Sequence, residues 1–322
     1  MVKMYKCSNL FGIVGSKNNK DFKQKELIIW DDKNNKDIYK FKFKKDILNL
    51  ELTEDSIVVV CEKSIYVFNI EDFQLVDVIR TGPNPKGLVA INRDKRKVIV
   101  YPSVEGSKGK LTIKNYDLNK YLFLNPMEKK EFEYFTLSWG GILLATLEKE
   151  SKKIRIYETQ EGGCLSDLLE ITAKIPKEVE KNKDKKNNIR KYLSISKNEK
   201  VAFFSYNKGQ IDIFSLKDSI SKLGIILRLK NPQYASKAKN MMSNCHKKKI
   251  LGLFGENKDT AFIKSELKEL SEFEYKSIEI DDKNKLLFII TSNGKLYAYE
   301  IIYGEKNTSY LKLDQAISLF IN

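Results

Sequence analysis

The chain has 322 residues, of which 42% are hydrophobic and 31% charged, and it carries a formal net charge of +15. This length is sufficient for a large core, and the sequence holds no run of eighteen apolar residues that would predict a transmembrane helix. The positive charge comes from 52 lysines and only six arginines. This composition is typical of solvated, lysine-rich loops and indicates at most a nonspecific affinity for anions, not bidentate recognition of phosphate or guanine.

Short apolar runs parted by charged or Gly/Pro turns recur from one end of the chain to the other. Four of them follow each other between Ser56 and Leu118 at intervals of eight to twelve residues: IVVV, IYVF, LVDVI and GLVAI. This spacing predicts short antiparallel strands in an all-β repeat protein. One strand per repeat ends in an aromatic or apolar residue before a turn, and these residues are Trp30, Phe68, Tyr116, Tyr157, Phe214, Ile263 and Tyr299.

The repeats predict a seven-bladed, WD40-like β-propeller that forms one domain over residues 1–322, because a blade of this type needs about 40–45 residues. A sandwich could not hold so many strands, whereas a ring of blades leaves only short edges. We expect Leu10–Val14 to close the ring by pairing in the blade of Leu286–Ile290 and Lys295–Tyr299. The least strand-like segments, near 175–188 and 231–249, are predicted to be loop insertions, with any helix confined to them.

A turn with the sequence Asn84-Pro85-Lys86-Gly87 lies between two predicted strands, and Tyr101-Pro102 follows it. Together with the strand pair Ile57–Val60 and Ile65–Phe68 and with Ile79-Arg80-Thr81, these motifs resemble the PROPPIN family. PROPPINs are WD40-related propellers that bind phosphoinositides and act in autophagy. The resemblance therefore implies a seven-bladed β-propeller that binds membranes peripherally and catalyses no reaction.

The residues themselves predict no catalytic or metal centre. The only histidine, His246, stands beside Cys245 in a lysine-rich segment, where adjacent side chains do not form an oriented nucleophile and base. The four cysteines are far apart and fit a reducing, cytosolic compartment. No phosphate-binding glycine motif is present, and we expect neither cofactor nor metal.

The phosphoinositide motifs of the family are degenerate in this sequence. After the strand that resembles Ile154–Tyr157, PROPPINs carry Phe-Arg-Arg-Gly, whereas this chain has Leu168-Leu169-Glu170-Ile171. The family's Gly-Thr-x-His-x-Phe corresponds to Gly209–Phe214, with Asp212 in place of the histidine. Carboxylates repel phosphate, so we expect weakened or lost pockets. The remaining candidate lipid-binding residues are Lys174, Ser205 and Lys208.

Two further family devices have counterparts here. The segment 231–249 matches a loop that inserts into the bilayer as an amphipathic helix; in this chain it is either a basic interfacial helix or an ordinary exposed loop. PROPPINs also dock lipid-transfer or conjugation factors between the second and third blades, which would correspond to Asp72–Arg80 and Arg93–Lys97. The partner-binding candidates are Arg80, Arg93 and Arg96, although a solvated turn or a packing role explains them equally.

The sequence thus favours a non-enzymatic PROPPIN-like scaffold of autophagy or endosomal membrane traffic, cytoplasmic or peripheral on those membranes, with autophagy or membrane-traffic proteins as partners. Two alternatives remain. One is a peripheral membrane protein that binds phosphatidylinositol 3-phosphate through a shifted set of residues. The other is a WD40 scaffold associated with RNA or ribonucleoprotein through its lysines, although specific nucleic-acid binding is not favoured.

Overall fold

The computed structural model describes residues 1–6, 8–16, 23–104, 109–125, 131–148, 154–162, 164–167, 192–198, 201–207, 210–216, 263–266, 275–280, 285–291, 293–302 and 310–318. These residues form twenty-four strands arranged in six four-stranded antiparallel sheets. They cluster into two compact units, 1–150 with 159–162, and 151–158 with 163–322.

Each sheet takes four successive strands in chain order. The first three sheets contain β1 (Val2–Met4), β2 (Leu10–Val14), β3 (Glu26–Asp31) and β4 (Lys36–Lys42); β5 (Asn49–Leu52), β6 (Ser56–Val60), β7 (Ser64–Asn69) and β8 (Leu75–Arg80); β9 (Ala90–Ile91), β10 (Val98–Pro102), β11 (Leu111–Asn115) and β12 (Lys120–Leu124). The other three contain β13 (Phe132–Leu137), β14 (Leu143–Glu148), β15 (Ile154–Glu158) and β16 (Cys164–Asp167); β17 (Tyr192–Ile195), β18 (Val201–Asn207), β19 (Gln210–Ser215) and β20 (Ile263–Glu266); β21 (Tyr275–Ile280), β22 (Leu286–Thr291), β23 (Lys295–Ile302) and β24 (Tyr310–Ser318).

Six of the seven strand-end residues occupy corresponding places, within or directly after the third strand of successive sheets: Trp30, Phe68, Tyr116, Tyr157, Phe214 and Tyr299. The seventh prediction was wrong. Ile263 begins β20, which pairs with β19 as the fourth strand of the fifth sheet, with Ile213 opposite Ile263. The segment therefore belongs to the same sheet as Phe214 and does not form the third strand of a separate blade.

The predicted closing strand was also wrong. Leu10–Val14 is β2, and it pairs with β1 and β3 in the first sheet. The strands Leu286–Thr291 and Lys295–Ile302 instead pair with β21 and β24. Each end of the chain supplies all four strands of its own sheet, so neither sheet requires a strand from the other end. The seventh blade and the single domain over 1–322 stay predictions, and both predicted insertions, 175–188 and 231–249, lie outside the described residues.

The second sheet is buried on both faces, which explains the uninterrupted apolar sequence of β6. Ile57 and Val59 pack toward Leu27 and Ile29 of the first sheet. Val58 and Val60 point the other way and pack with Ile99 and other residues of the third sheet. Because successive side chains of a strand alternate between faces, a strand between two sheets must be apolar at every position.

The Asn84–Gly87 turn links the second and third sheets along the chain, and hydrogen bonds of the Asn84 side chain hold its conformation. The amide of Asn84 accepts the N–H of Leu88 at 2.7 Å and donates to the Leu88 carbonyl at 2.8 Å. Gly87 has φ of +64°, and its carbonyl accepts a hydrogen bond from Asn49 Nδ2 at 3.0 Å. A Cβ at Gly87 would lie 2.8 Å from Leu48 Cβ. The glycine is therefore required by both backbone conformation and space.

Candidate partner-binding surface

A charged group that sequence reasoning missed joins the second and third sheets. Asp77, in the middle of β8, accepts a hydrogen bond from Lys114 Nζ at 2.5 Å and another from Tyr116 Oη at 2.9 Å. The side chains of Lys114 and Asp77 are only 14% and 20% exposed. Lys114 also lies over the rings of Tyr116 and Tyr121, with centroid distances of 4.8 and 5.4 Å. Each of the two partly buried charges thus has a partner of opposite sign and a hydrogen bond, which is the arrangement that makes the burial of charge tolerable.

Burial and the neighbouring carboxylate set the electrostatics of this group. Burial is the largest single influence on Lys114 and lowers its pKa, but the hydrogen bonds and charges of Asp77 and Tyr121 together outweigh it, so the pKa lies above the ordinary lysine value. Burial and then the charge of Asp77 raise the pKa of Tyr116. Lys114 is therefore a cation and Tyr116 a neutral hydrogen-bond donor throughout the physiological range.

Arg96 contributes to the packing of these sheets. Its backbone N–H donates to both carboxylate oxygens of Asp55 at 3.1 Å, and Nη1 donates to Ser56 Oγ at 3.2 Å. The guanidinium lies 5.2 Å from the ring centroid of Tyr116. Asp55 and Ser56 belong to the second sheet and its β5–β6 turn, so Arg96 ties the third sheet to the second.

Arg93 lies in the same β9–β10 turn as Arg96 and is exposed. Its backbone N–H donates to the carbonyl of Trp139 at 3.1 Å, which places this turn beside the β13–β14 turn. Trp139 is itself 37% exposed. Arg93 is thus an exposed residue whose backbone is anchored to the β13–β14 turn.

Arg80 lies at the opposite end of the second sheet from this turn. β8 begins after the β7–β8 turn, and in that turn the N–H of Ile70 donates to the carbonyl of Asp55. The carboxylate of Asp55 also accepts the backbone N–H of Arg96, so the start of β8 lies at the same end of the sheet as the β9–β10 turn. β8 then runs five steps to Arg80, a distance of about 17 Å. The structure thus places Arg93 and Arg96 on one turn and Arg80 at the far end, so the three candidates do not form one cluster.

Two signals in the sequence could have revealed the group around Asp77. The run LVDVIR carries one carboxylate inside an apolar strand, and LTIKN carries one lysine. A charge within such a run indicates either a solvent-facing position or a partner on the neighbouring sheet. Only the pairing of the sheets decides between them.

The candidate lipid-binding residues fall largely outside the described residues. Lys174 and Lys208 lie outside them, as do Glu170 and Arg190. Ser205 lies in β18 opposite Tyr192, and Asp212 lies in β19 opposite Lys264. The weakened phosphoinositide pockets therefore stay a prediction.

The described ranges hold neither a candidate metal site nor a candidate membrane span. They contain no cluster of three or more His, Cys, Asp or Glu side chains that could hold a metal ion. In the part of the chain with described structure, no helix has the length and apolar character needed to cross a bilayer.

Known proteins of similar fold are β-propellers, which confirms the predicted all-β propeller class, while the number of seven blades stays a prediction. A structure of Kluyveromyces lactis Hsv2 matches with a TM-score of 0.67 and 15% identity, covering 99% of this chain and 86% of that chain. A complex of KlAtg21 with the coiled coil of AgAtg16 matches with a TM-score of 0.70 and 14% identity, covering 99% and 85%. At these identities the likeness shows the fold alone.

A family model described as PROPPIN matches residues 2–222. The chain belongs to the PROPPIN family, which confirms the resemblance drawn from the Asn84–Gly87 turn and the strands around it. Autophagy-related protein 18e of Arabidopsis thaliana is 27% identical over 222 residues, which cover 68% of this chain and 55% of that protein. Autophagy-related protein 18 of Dictyostelium discoideum is 29% identical over 157 residues, covering 49% and 42%. The chain thus spans about half the length of these relatives. PROPPIN propellers are non-enzymatic, in agreement with the absence of a predicted catalytic centre.

Proposed function

We propose that this chain is a non-enzymatic scaffold of autophagy or endosomal membrane traffic whose phosphoinositide pockets are weakened or lost. One observation carries the proposal. The PROPPIN match spans residues 2–222, and the motif comparison made from the sequence puts Leu169, Glu170 and Asp212 within that span at the positions of the family's two arginines and histidine. Loss of charge-assisted hydrogen bonds, together with added carboxylates, disfavours a phosphomonoester by several kcal/mol in order of magnitude.

Liposome flotation of the full chain tests the lipid part of the proposal. Vesicles with and without phosphatidylinositol 3-phosphate should recover equal amounts of protein at physiological salt. The triple variant Leu169→Arg, Glu170→Arg and Asp212→His should gain recovery that depends on this lipid, because it restores the donors of the family motif. Specific recovery of the unaltered chain would refute the loss of the pockets.

The second candidate function is that of a true phosphatidylinositol 3-phosphate-binding protein, peripheral on autophagic membranes. Family membership supports it, since PROPPINs bind phosphoinositides. The flotation experiment distinguishes the two candidates directly. The ribonucleoprotein alternative has no comparable support from the family assignment.

The scaffold part of the proposal places a partner protein on the surface of the second and third sheets. KlAtg21 is known in complex with the coiled coil of AgAtg16, which supports an autophagy protein as the partner here. Arg93 is exposed on an anchored turn, and a guanidinium pairs with carboxylates in a fixed fork. Arg96, by contrast, contributes to packing.

Arg93→Glu should therefore abolish co-purification of the partner while the free energy of unfolding changes by less than about 1 kcal/mol. The matched control is Lys33→Glu, which makes the same charge reversal on the exposed β3–β4 turn of the first sheet. Equal partner recovery with both variants would remove this surface from the proposal. Strong destabilisation by Arg93→Glu alone would assign the side chain to the fold.

A further inference from the structure

β8 is the outermost strand of the second sheet, and no strand among the described residues pairs with its outer edge. Its Thr81 end is fixed by the hydrogen bond from Thr81 N–H to the Lys63 carbonyl at 3.1 Å. Hydrogen-bonded pairs recur at every second residue of an antiparallel pair, so the N–H and C=O groups of Ile79 and Asp77 also point toward β7. Val78 and Arg80, which lie opposite Tyr66 and Ser64, alternate with them. The N–H and C=O groups of Val78 and Arg80 therefore point away from the sheet.

This edge lacks the charges that usually protect edge strands. On β4, the outermost strand of the first sheet, the exposed residues include Lys36, Lys40 and Lys42. On β8 the exposed residues before Arg80 are apolar: Leu75 at 52%, Val76 at 45% and Val78 at 48%. The one charge among them, Asp77, is engaged by Lys114. An apolar edge without lysines is a template for pairing with another strand.

A row of aromatic rings continues the apolar surface from this edge. Val78 lies opposite Tyr66 and Leu75 opposite Phe68, so these pairs share one face of the sheet. Tyr66 packs 5.2 Å from the Phe43 ring of the chain segment after β4. Phe43, Tyr66 and Phe68 are only partly buried. We call this row, with Tyr39 and Phe73 stacked at 4.9 Å, the aromatic seam.

Charges of opposite sign stand at the two ends of β8. Glu71 and Asp72, in the turn before it, are exposed. At its other end Arg80 and the neighbouring Lys63 are exposed together with Glu62, so that end keeps a net positive charge. A segment that runs antiparallel to β8 would meet Lys63 and Arg80 with its first residues and Glu71 and Asp72 with its last. Charge complementarity thus favours an acidic N-terminal end and a basic C-terminal end.

We propose that β8 takes a fifth strand: an extended partner segment that pairs antiparallel with its outer edge and places alternate apolar side chains on the aromatic seam. Main-chain hydrogen bonds supply affinity in such strand addition, and alternate side chains supply specificity. This proposal deepens the scaffold function, because it assigns a partner of defined chemistry to the second sheet.

The probe is the neutral synthetic peptide Glu-Val-Thr-Val-Thr-Val-Lys, whose zero net charge excludes general attraction to the basic chain. Binding is measured by fluorescence anisotropy with the full chain at up to about 1 mM protein. In the antiparallel arrangement, a peptide residue opposite Val78 or Arg80 points its N–H group toward β8 and its side chain toward the aromatic seam. A copy N-methylated on its first two valines should lose binding roughly tenfold or more, whereas a copy N-methylated on its threonines should bind like the parent.

Two protein variants complete the test. Val78→Pro removes an outward N–H that the sheet itself does not use, so the sheet ladder remains, and it should lose the peptide roughly tenfold. Val78→Thr keeps the N–H and the β-branched shape and should bind within about threefold of the unaltered chain. Equal affinities for the two methylated peptides, or no binding of the parent peptide, would overturn the proposal even if Val78→Pro failed to fold. If the parent peptide does not bind while Arg93→Glu still abolishes partner recovery, the strand-addition proposal fails and the scaffold function is unaffected.

Discussion

Substitution of Gly87 by alanine separates the two reasons for a glycine in the Asn84–Gly87 turn. At φ of +64° an alanine is strained by about 1–2 kcal/mol. Its Cβ would also lie 2.8 Å from Leu48 Cβ, 3.0 Å from the Leu48 carbonyl carbon and 3.1 Å from Asn49 Cβ. Relief of that crowding costs about 1–3 kcal/mol more, so we expect Gly87→Ala to lower the free energy of unfolding by about 2–5 kcal/mol.

The chain provides a matched control at Gly162. Its φ is +74°, but the nearest atom to an added Cβ is Leu122 Cδ1 at 3.9 Å, an ordinary contact. Gly162→Ala should therefore show the backbone strain alone, about 1–2 kcal/mol. Urea unfolding followed by tryptophan fluorescence and circular dichroism measures both variants. Equal losses would show that the crowding at Leu48 is relieved without cost and would refute the steric argument.

Three further predictions concern charged groups. Lys114→Met should destabilise the chain by about 2 kcal/mol because it leaves the Asp77 carboxylate poorly solvated, and adding Asp77→Asn should recover part of that loss; strictly additive losses in urea would contradict the pairing. A hydrogen bond from the Asn34 side chain, opposed by burial, holds the pKa of Asp31 below its ordinary value. The stability that Asp31 adds is therefore fully present above its pKa in the unfolded chain, and it is lost as the pH falls through its lower pKa in the folded chain. The stability difference between the unaltered chain and Asp31→Ala should accordingly be constant near neutrality and shrink in acid, and a pH-independent difference would disprove it. Asp55→Ala should cost about 1–2 kcal/mol in thermal unfolding through lost acceptors, with Asp55→Asn milder; no loss in either would show that the β5–β6 turn does not depend on them.

The local pattern predicted strands well and their partners poorly. Trp30, Phe68 and Tyr299 were placed correctly because an apolar run before a charged turn is a local property. Ile263 and Leu10–Val14 were recognised as strands but assigned to the wrong sheets, since strand partners depend on pairings distant in sequence. The candidate partner-binding residues show the same difference between local and long-range information. The arginines were visible in the sequence, but the packing role of Arg96 depends on Asp55 and Tyr116, which only the fold brings beside it.

The fifth sheet has a consequence for synthesis of the chain. β19 ends at Ser215 and its outer neighbour β20 begins only at Ile263. At about 5–20 residues per second, a ribosome needs roughly 2–10 s to make the intervening stretch. During that interval β19, whose Ile211 and Ile213 are fully buried in the finished protein, has an unpaired edge. The order of translation therefore leaves this edge open to pairing with a wrong strand for several seconds.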